Sequence, residues 1–154
     1  MATVLLTGGT GFIGSHTAVE LMCAGESVIL ADNLANSDKD VVKRIEKITG
    51  KEVRFYQADA ADNAAMSRIF SENQIDAVIH FAGYKAVGES VRKPLMYYRN
   101  NIDTMLTLLE VMQKNKSGYN YKYVTDEEIL AKVTAFIDKY GLSLIPNRGR
   151  HTDK

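Results

Sequence analysis

Through the first 114 residues, short continuous apolar runs alternate with stretches in which apolar residues recur at helical spacing. The continuous runs are typical of strands that are buried on both faces. They cover residues 3–7, 27–31, 53–56 and 77–82. The stretches with helical spacing predict amphipathic helices. They begin at Phe12, Asp38, Ala64 and Pro94 and end near Ala24-Gly25, Thr49, Glu72 and Lys114.

Strand and helix therefore alternate four times, which is the order of successive βαβ units. Crossovers between parallel strands are right-handed in nearly all proteins, so the helices are expected on both faces of the sheet. The pattern predicts an α/β fold with a doubly wound, Rossmann-like parallel sheet in three layers, α/β/α. Binding sites of such sheets lie beyond the carboxyl ends of the strands. Candidate functional residues are therefore those that follow each strand.

The pattern changes at Asn115, where a linker-like Lys-Ser-Gly follows. Residues 121–124 and 142–145 predict two short strands, and Thr125 can cap a helix between them. We therefore divide the chain into a segment 1–114 and a strand–helix–strand tail 115–154, which we expect to pack on the same domain. Two more parallel strands would complete a six-stranded sheet and cover the fourth strand, whose apolar edge would otherwise favour aggregation.

Composition and charge narrow the class of protein. The 154 residues suit a single domain, and 45% hydrophobic with 25% charged residues is the globular average, which excludes bulk disorder. Nineteen basic and nineteen acidic residues give no net charge to attract nucleic acid or an anionic membrane. We find no membrane span or basic leader. The single cysteine, Cys23, fits a reducing compartment, so we predict a cytoplasmic protein.

A glycine-rich turn, Gly8-Gly9-Thr10-Gly11-Phe12-Ile13-Gly14, joins the first strand to the first helix. Glycine spacing alone is weak evidence, but this position is the context of a dinucleotide-binding fingerprint. Gly8 would allow a tight turn, Gly11 would let a pyrophosphate approach the backbone, and Gly14 would permit close contact between helix and sheet. The N–H groups and dipole of the helix would face the phosphates. The alternative is a turn that binds nothing.

Asp32 ends the second strand, roughly 20 residues beyond the glycines, where a carboxylate can accept hydrogen bonds from an adenosine ribose diol. Its charge would repel a 2′-phosphate, so the sequence predicts NAD rather than NADP as the cofactor. Alternatively, Asp32 caps the following loop together with Asn33.

Three more candidates follow from their positions. Asp59, just past the third strand, either accepts from an adenine amino group or is a loop carboxylate. Lys85 follows the small residues at the end of the fourth strand, and it either donates to the nicotinamide half of a cofactor or is solvated. Asn100 lies inside the long predicted helix, where asparagine is unfavourable, which indicates a polar role near the cofactor. We predict no metal ligand.

Three stretches carry a resemblance to a known family: TGGTGFIGSHT (7–17), ADNLANS (31–37) and VIHFAGYKAVGESVRKPLMYYRNN (78–101). On these, residues 4–114 are similar to the N-terminal half of UDP-glucose 4-epimerases, which are extended short-chain dehydrogenases/reductases of galactose metabolism. The resemblance implies a tightly held NAD and the interconversion of UDP-glucose and UDP-galactose. Ala60 replaces a larger apolar residue of the family. The resemblance assigns NAD binding to Gly8, Gly11, Phe12, Ile13, Asp32, Asn33, Asp59, Ala60, Phe81, Ala82, Gly83, Lys85 and Asn100.

The same resemblance implies a Tyr-x-x-x-Lys pair, whose tyrosine takes a proton from the sugar 4-hydroxyl while hydride passes to nicotinamide. None of the eight tyrosines here is followed by lysine four positions later, so we assign no catalytic residue. Each positioned acid–base group is worth about 10²–10⁴-fold, and the family's C-terminal sugar-nucleotide pocket is also missing. We expect a domain that binds NAD without turnover, that binds a UDP-sugar only if the missing half is supplied, and that is compatible with a homodimer.

Residues 117–146 resemble an internal segment of the essential recombination function (ERF) family of phage single-strand annealing proteins. On that resemblance, the chain joins fragments of two unrelated genes near 115–117. Tyr119, Tyr121 and Tyr123 could stack bases while neighbouring lysines meet phosphates. Alternating tyrosines also suit a strand with one packed face, and seven basic against five acidic residues give the tail a net charge of only +2. We therefore expect a dinucleotide, rather than a nucleic acid, as the partner.

Overall fold

The computed structural model describes residues 1–115, in which four strands alternate with helices. The strands are β1 (Thr3–Thr7), β2 (Ser27–Asp32), β3 (Arg54–Gln57) and β4 (Ala77–His80). The helices are α1 (Phe12–Cys23), α2 (Asp40–Thr49), α3 (Asn63–Glu72), α4 (Val87–Arg92) and α5 (Pro94–Lys114). The predicted alternation of strand and helix is confirmed over this part of the chain.

The strands are parallel and lie in the order β3-β2-β1-β4. Leu5 of β1 lies opposite Ile29 of β2 and Val78 of β4. From β1 the chain moves outward through β2 and β3, and it then crosses to the other side of β1 to form β4. The predicted doubly wound, Rossmann-like sheet is therefore confirmed. The reversal places a crevice beyond the carboxyl ends of β1 and β4, which is where such sheets bind ligands.

Two apolar clusters place helices on both faces of the sheet. Successive residues of a strand point to opposite faces, and β1 is buried on both. On one face Leu5 belongs to a cluster with Met66 of α3 and Leu108 of α5. On the other face Leu6 belongs to a cluster with Ala18 of α1 and with α2. The predicted three-layer arrangement is thus confirmed.

Helix α4 is not predicted by the sequence pattern. None of its residues is buried, and Val87 and Val91 are 78% and 77% exposed, so α4 has no apolar stripe that faces the core. Strand β4 is also shorter than its apolar run predicts. The Phe81 N–H still donates to the Thr7 carbonyl at 2.9 Å, but the paired register stops at His80, which leaves residues 81–86 as a loop at the edge of the crevice.

The predicted strands 121–124 and 142–145, the predicted helix after Thr125, and the candidate base-stacking residues Tyr119, Tyr121 and Tyr123 lie outside the described residues. The six-stranded sheet and the separate tail therefore stay predictions. Among residues 1–115, no helix is both long enough and apolar enough to span a membrane.

Candidate dinucleotide-binding site

A cavity of about 700 Å³ opens beyond the carboxyl ends of the strands. Its volume falls within the range of about 300–1,000 Å³ that is usual for small-molecule and cofactor sites. Segments that follow β1, β2, β3 and β4 line it, together with parts of α4 and α5. All thirteen candidates are among the lining residues: Gly8, Gly11, Phe12, Ile13, Asp32, Asn33, Asp59, Ala60, Phe81, Ala82, Gly83, Lys85 and Asn100. The structure thus brings every candidate to one cavity.

The glycine turn is closely packed against backbone on two sides. Gly8 has φ +67°, and a Cβ at Gly8 would lie 2.7 Å from the backbone N of Ala82, just past β4. A Cβ at Gly14 would collide with the carbonyl oxygen of Gly8. Gly14 therefore lets α1 pack against the turn itself. This corrects the expectation that its close contact is with the sheet.

Helix α1 begins next to the cavity with an open N-terminus. Gly11 is its N-cap, and no side chain within the described segment caps it. The first N–H groups of a helix have no intrahelical partner, and here they belong to Phe12, Ile13 and Gly14, which all line the cavity. These groups and the positive end of the helix dipole suit an anion such as a pyrophosphate.

Asp32 is 7% exposed at the end of β2 and lines the cavity. One carboxylate oxygen accepts from the Leu34 N–H (2.9 Å) and the Ser37 hydroxyl (3.0 Å). The other accepts from the Thr10 N–H (3.1 Å) in the glycine turn. Asp32 therefore lines the cavity and also caps the loop after β2, so the two alternatives are compatible. A carboxylate has about four acceptor sites, so about one remains for a ligand.

Thr10 and Ser37 are two residues of this region that sequence reasoning missed. Their hydroxyl oxygens lie 2.8 Å apart, and each residue also bonds Asp32. They connect the glycine turn to the loop after β2. In the sequence, each of them is a polar residue inside one of the two recognised motifs. A single sequence does not show that side chains from two motifs form a hydrogen bond.

Asn33 and Asp59 join the loops that follow β2 and β3. The Asn33 Nδ2 donates to Asp59 Oδ2 at 3.0 Å. The other oxygen of Asp59 accepts from the Ala61 N–H at 2.8 Å, which holds the carboxylate in place. Ala60, which lies between Asp59 and Ala61, is buried. This part of the cavity wall is a pre-formed polar pair beside a small apolar residue.

Tyr97 and Glu89, which sequence reasoning also missed, form the wall at α4 and α5. The Tyr97 hydroxyl donates to Glu89 at 2.9 Å, and Lys93 pairs with the same carboxylate at 3.2 Å. Burial and then the bond to Glu89 raise the pKa of Tyr97, while the bonds from Tyr97 and Lys93 lower the pKa of Glu89. Tyr97 therefore stays protonated at neutral pH and is unsuited to act as a base. This contact depends on α4, which the pattern did not predict.

His80 connects β4 to both of its neighbours. Its Nδ1 lies 2.6 Å from the Thr7 hydroxyl and its Nε2 lies 3.4 Å from the Thr104 hydroxyl. Thr104 donates to the Asn100 carbonyl at 2.8 Å, so the Nε2 carries the hydrogen and the Nδ1 accepts from Thr7. Burial, followed by the charge of Lys85, lowers the pKa of His80. The ring is therefore neutral at pH 7.

Comparison with known proteins gives one consistent result. The family model described as GDP-mannose 4,6 dehydratase matches residues 5–127. The UDP-glucose 4-epimerase of Pasteurella multocida is 55% identical over 111 residues, which are 72% of this chain and 33% of the relative. The chain thus spans about a third of the length of the curated relatives that it matches.

Solved structures agree with this result. The UDP-glucose 4-epimerase of Bifidobacterium longum, in complex with NAD⁺ and UDP, has a TM-score of 0.73 and 55% identity over 74% of this chain and 34% of its own. The enzyme of Stenotrophomonas maltophila, with bound NAD and formylated UDP-arabinopyranose, has a TM-score of 0.73 and 35% identity over 92% of this chain and 50% of its own. The resemblance of residues 4–114 to UDP-glucose 4-epimerases is confirmed, and the chain belongs to the GDP-mannose 4,6 dehydratase family.

Proposed function

We propose that residues 1–114 form an NAD-binding domain. The observation that carries this proposal is the convergence of all thirteen candidates on one cavity, with the glycine turn on one side and Asp32 on the other. One further feature fits a dinucleotide: the residues of the first turn of α1 line the cavity, and their N–H groups suit the charge of a pyrophosphate. The related structures of Bifidobacterium longum and Stenotrophomonas maltophila contain NAD.

The order of the strands assigns the two halves of the cofactor. Asp32 and the Asn33–Asp59 pair follow β2 and β3, which lie on one side of β1. These residues would hold the adenosine half, the ribose at Asp32 and the adenine beside Asp59. The loop after β4 lies on the other side of β1, so Lys85 and Asn100 would contact the nicotinamide half. When bound, NAD supplies a hydride acceptor at that end of the cavity.

Calorimetric titration of the full chain with NAD and with NADP tests this proposal. The negative charge of Asp32 disfavours a 2′-phosphate, so we expect NAD to bind at least about tenfold more tightly than NADP. Release of nicotinamide nucleotide from the denatured purified protein, measured by absorbance, would show a tightly held cofactor. Tighter binding of NADP would refute the role of Asp32. No binding of either nucleotide, by protein that also releases no nicotinamide nucleotide when it is denatured, would refute the proposed function.

We propose further that these residues alone do not interconvert UDP-sugars, and that a UDP-sugar binds only when a chain that corresponds to the remaining length of the relatives is supplied. No tyrosine of the sequence precedes a lysine by four positions, and Tyr97 in the cavity wall is held protonated. Incubation with UDP-galactose and NAD should yield no UDP-glucose, with the Pasteurella multocida enzyme as the positive control. Formation of UDP-glucose by this chain would contradict the proposal.

The remaining proposals concern the tail and the cell compartment. We propose a chimeric, cytoplasmic chain in which an epimerase-like NAD-binding segment is truncated near Lys114 and joined to a tail of different origin. What supports this proposal is the length of the alignment with the relative from Pasteurella multocida, 111 residues, although the family model extends further, to residue 127. If the tail packs on the domain, protease cleavage at 115–118 should lower the melting temperature of the remaining domain. An unchanged melting temperature would contradict the packing. A gel shift with oligo-dT at low salt should show no complex.

A further inference from the structure

We infer that Asn101 is a positioning residue that holds the loop after β4 in the shape needed to bind the nicotinamide half of the dinucleotide. The inference rests on the proposed NAD binding. Asn101 is not among the residues that line the cavity, so it acts through residues that are.

Asn101 makes two hydrogen bonds to the backbone of a single loop residue. Its Oδ1 accepts from the Tyr84 N–H at 2.8 Å, and its Nδ2 donates to the Tyr84 carbonyl at 3.0 Å. A side-chain amide carries both a donor and an acceptor on one planar group, so it can satisfy both backbone groups of Tyr84 at once. Two bonds to one residue fix the position and the orientation of that peptide segment relative to α5.

The same amide contacts the cavity wall at two more points. The Asn100 Nδ2 donates to the Asn101 Oδ1 at 3.0 Å, which orients the side chain of Asn100. A Cβ at Gly83 would lie 3.3 Å from that oxygen, so the amide packs closely on the glycine. Gly83, Tyr84 and Asn100 all line the cavity, and Lys85 is the next residue along the loop. One side chain therefore contacts Gly83, Tyr84 and Asn100 on this side of the cavity, and it acts on Lys85 through the neighbouring Tyr84.

The position of β4 restricts the effect to one half of the ligand. The loop after β4 lies across β1 from Asp32 and Asp59, which are proposed to hold the adenosine half. ADP carries the adenosine and pyrophosphate groups but lacks the nicotinamide riboside. Loss of the Asn101 contacts should therefore weaken the binding of NAD while leaving the binding of ADP almost unchanged.

The test compares Asn101→Asp with the unmodified full chain. The carboxylate has the same shape as the amide, but it cannot donate and it places a negative charge against the Tyr84 carbonyl. The bonds between Asn101 and Tyr84 are exposed to solvent, and the loss of one hydrogen bond together with the new charge against a carbonyl corresponds to roughly a tenfold factor. We expect the Kd for NAD to rise by about tenfold or more and the Kd for ADP to change by less than about twofold.

Asn73→Asp is the matched control. The Asn73 Nδ2 donates to the Ile69 carbonyl at 2.7 Å and to the Tyr56 hydroxyl at 2.9 Å, so this substitution also removes an amide donor from a backbone carbonyl. Asn73 precedes β4 and lies at the opposite, amino edge of the sheet. The control should bind NAD and ADP as the unmodified chain does, even if its melting temperature falls.

Each outcome of these titrations is decisive. A selective loss of NAD affinity in Asn101→Asp supports the positioning role. Unchanged affinity for both ligands, or an equal loss for both, would overturn it, because the first shows no role and the second shows general damage to the fold. If the unmodified chain binds neither NAD nor ADP and releases no nicotinamide nucleotide when it is denatured, the proposed function itself is refuted, and this inference with it.

Discussion

Replacing Gly8 with alanine tests whether the closeness of the glycine turn to β4 maintains the cavity. Gly8 has φ +67°, and a left-handed conformation costs an L-residue roughly 1–2 kcal/mol. The new Cβ would lie 2.7 Å from the Ala82 N and 2.8 Å from the Phe81 carbonyl carbon. Both of these are backbone atoms, so the loop after β4 must move. Overpacking of this kind costs about 1–3 kcal/mol, which gives about 2–5 kcal/mol in total.

Gly50→Ala is the matched control for this substitution. Gly50 also has φ +67°, but nothing lies within 4 Å of the position that its Cβ would occupy, so only the conformational cost of roughly 1–2 kcal/mol remains. For a chain of this length, 1 kcal/mol changes the melting temperature by about 2–4 °C. Urea unfolding measures the loss of stability of each variant, and NAD titration measures its loss of affinity for NAD.

The expected result is a larger loss of stability in Gly8→Ala than in Gly50→Ala, together with weaker NAD binding in Gly8→Ala alone. Equal losses of stability and equal NAD affinities in the two variants would refute the reasoning, because the contact with the end of β4 would then carry no cost. A loss of NAD affinity in Gly50→Ala would also contradict it, since Gly50 does not line the cavity.

Three further predictions concern Asp32, His80 and the core. Asp32→Ser should weaken NAD binding by about tenfold and reduce the preference over NADP, and titration with both nucleotides measures this; an unchanged preference would contradict the role of its charge. Because burial lowers the pKa of His80 from 6.5, the folded state takes up a proton less readily than the unfolded state. The contribution of His80 to the free energy of unfolding should therefore be complete above about pH 6.5 and be lost as the pH drops through the lowered pKa. Urea unfolding between pH 5 and 7 should show a smaller decrease of this free energy in His80→Gln than in the unmodified chain. Leu108→Ala, at a position 3% exposed, should cost about 2–5 kcal/mol, whereas Leu109→Ala, at a position 52% exposed, should cost less than about 0.5 kcal/mol; similar unfolding free energies would contradict the assigned faces of α5.

The sequence pattern predicted the sheet because buried parallel strands read as continuous apolar runs. It also predicted four of the residues that meet at the cavity. Gly11, Asp32, Asp59 and Lys85 are distant in sequence, but each follows a strand, and the carboxyl ends of parallel strands meet at one edge. The topology alone therefore brings these residues together, once the order of elements is known.

The pattern did not predict contacts that depend on how the loops pack. Helix α4 buries no residue, so it has no periodic signal, and without α4 the Tyr97–Glu89 hydrogen bond cannot be located. The hydrogen bonds of Asn101 to the Tyr84 backbone join residues that are 17 positions apart. A polar residue on a helix gives no signal in the sequence for so distant a partner. The same holds for Gly14, whose contact with the turn depends on the exact path of the backbone.

The junction of β1 with β4 has a consequence for how the protein matures during synthesis. Thr7 and His80 are paired across 73 residues, so the ligand cavity cannot close until the fourth strand has left the ribosome and found the first. A nascent chain that ends before that strand has no complete place for a nucleotide. Nucleotide at a hundredfold excess over its Kd would then add about 2.7 kcal/mol to the finished domain and less to its precursors, which lack the residues proposed to hold the nicotinamide half.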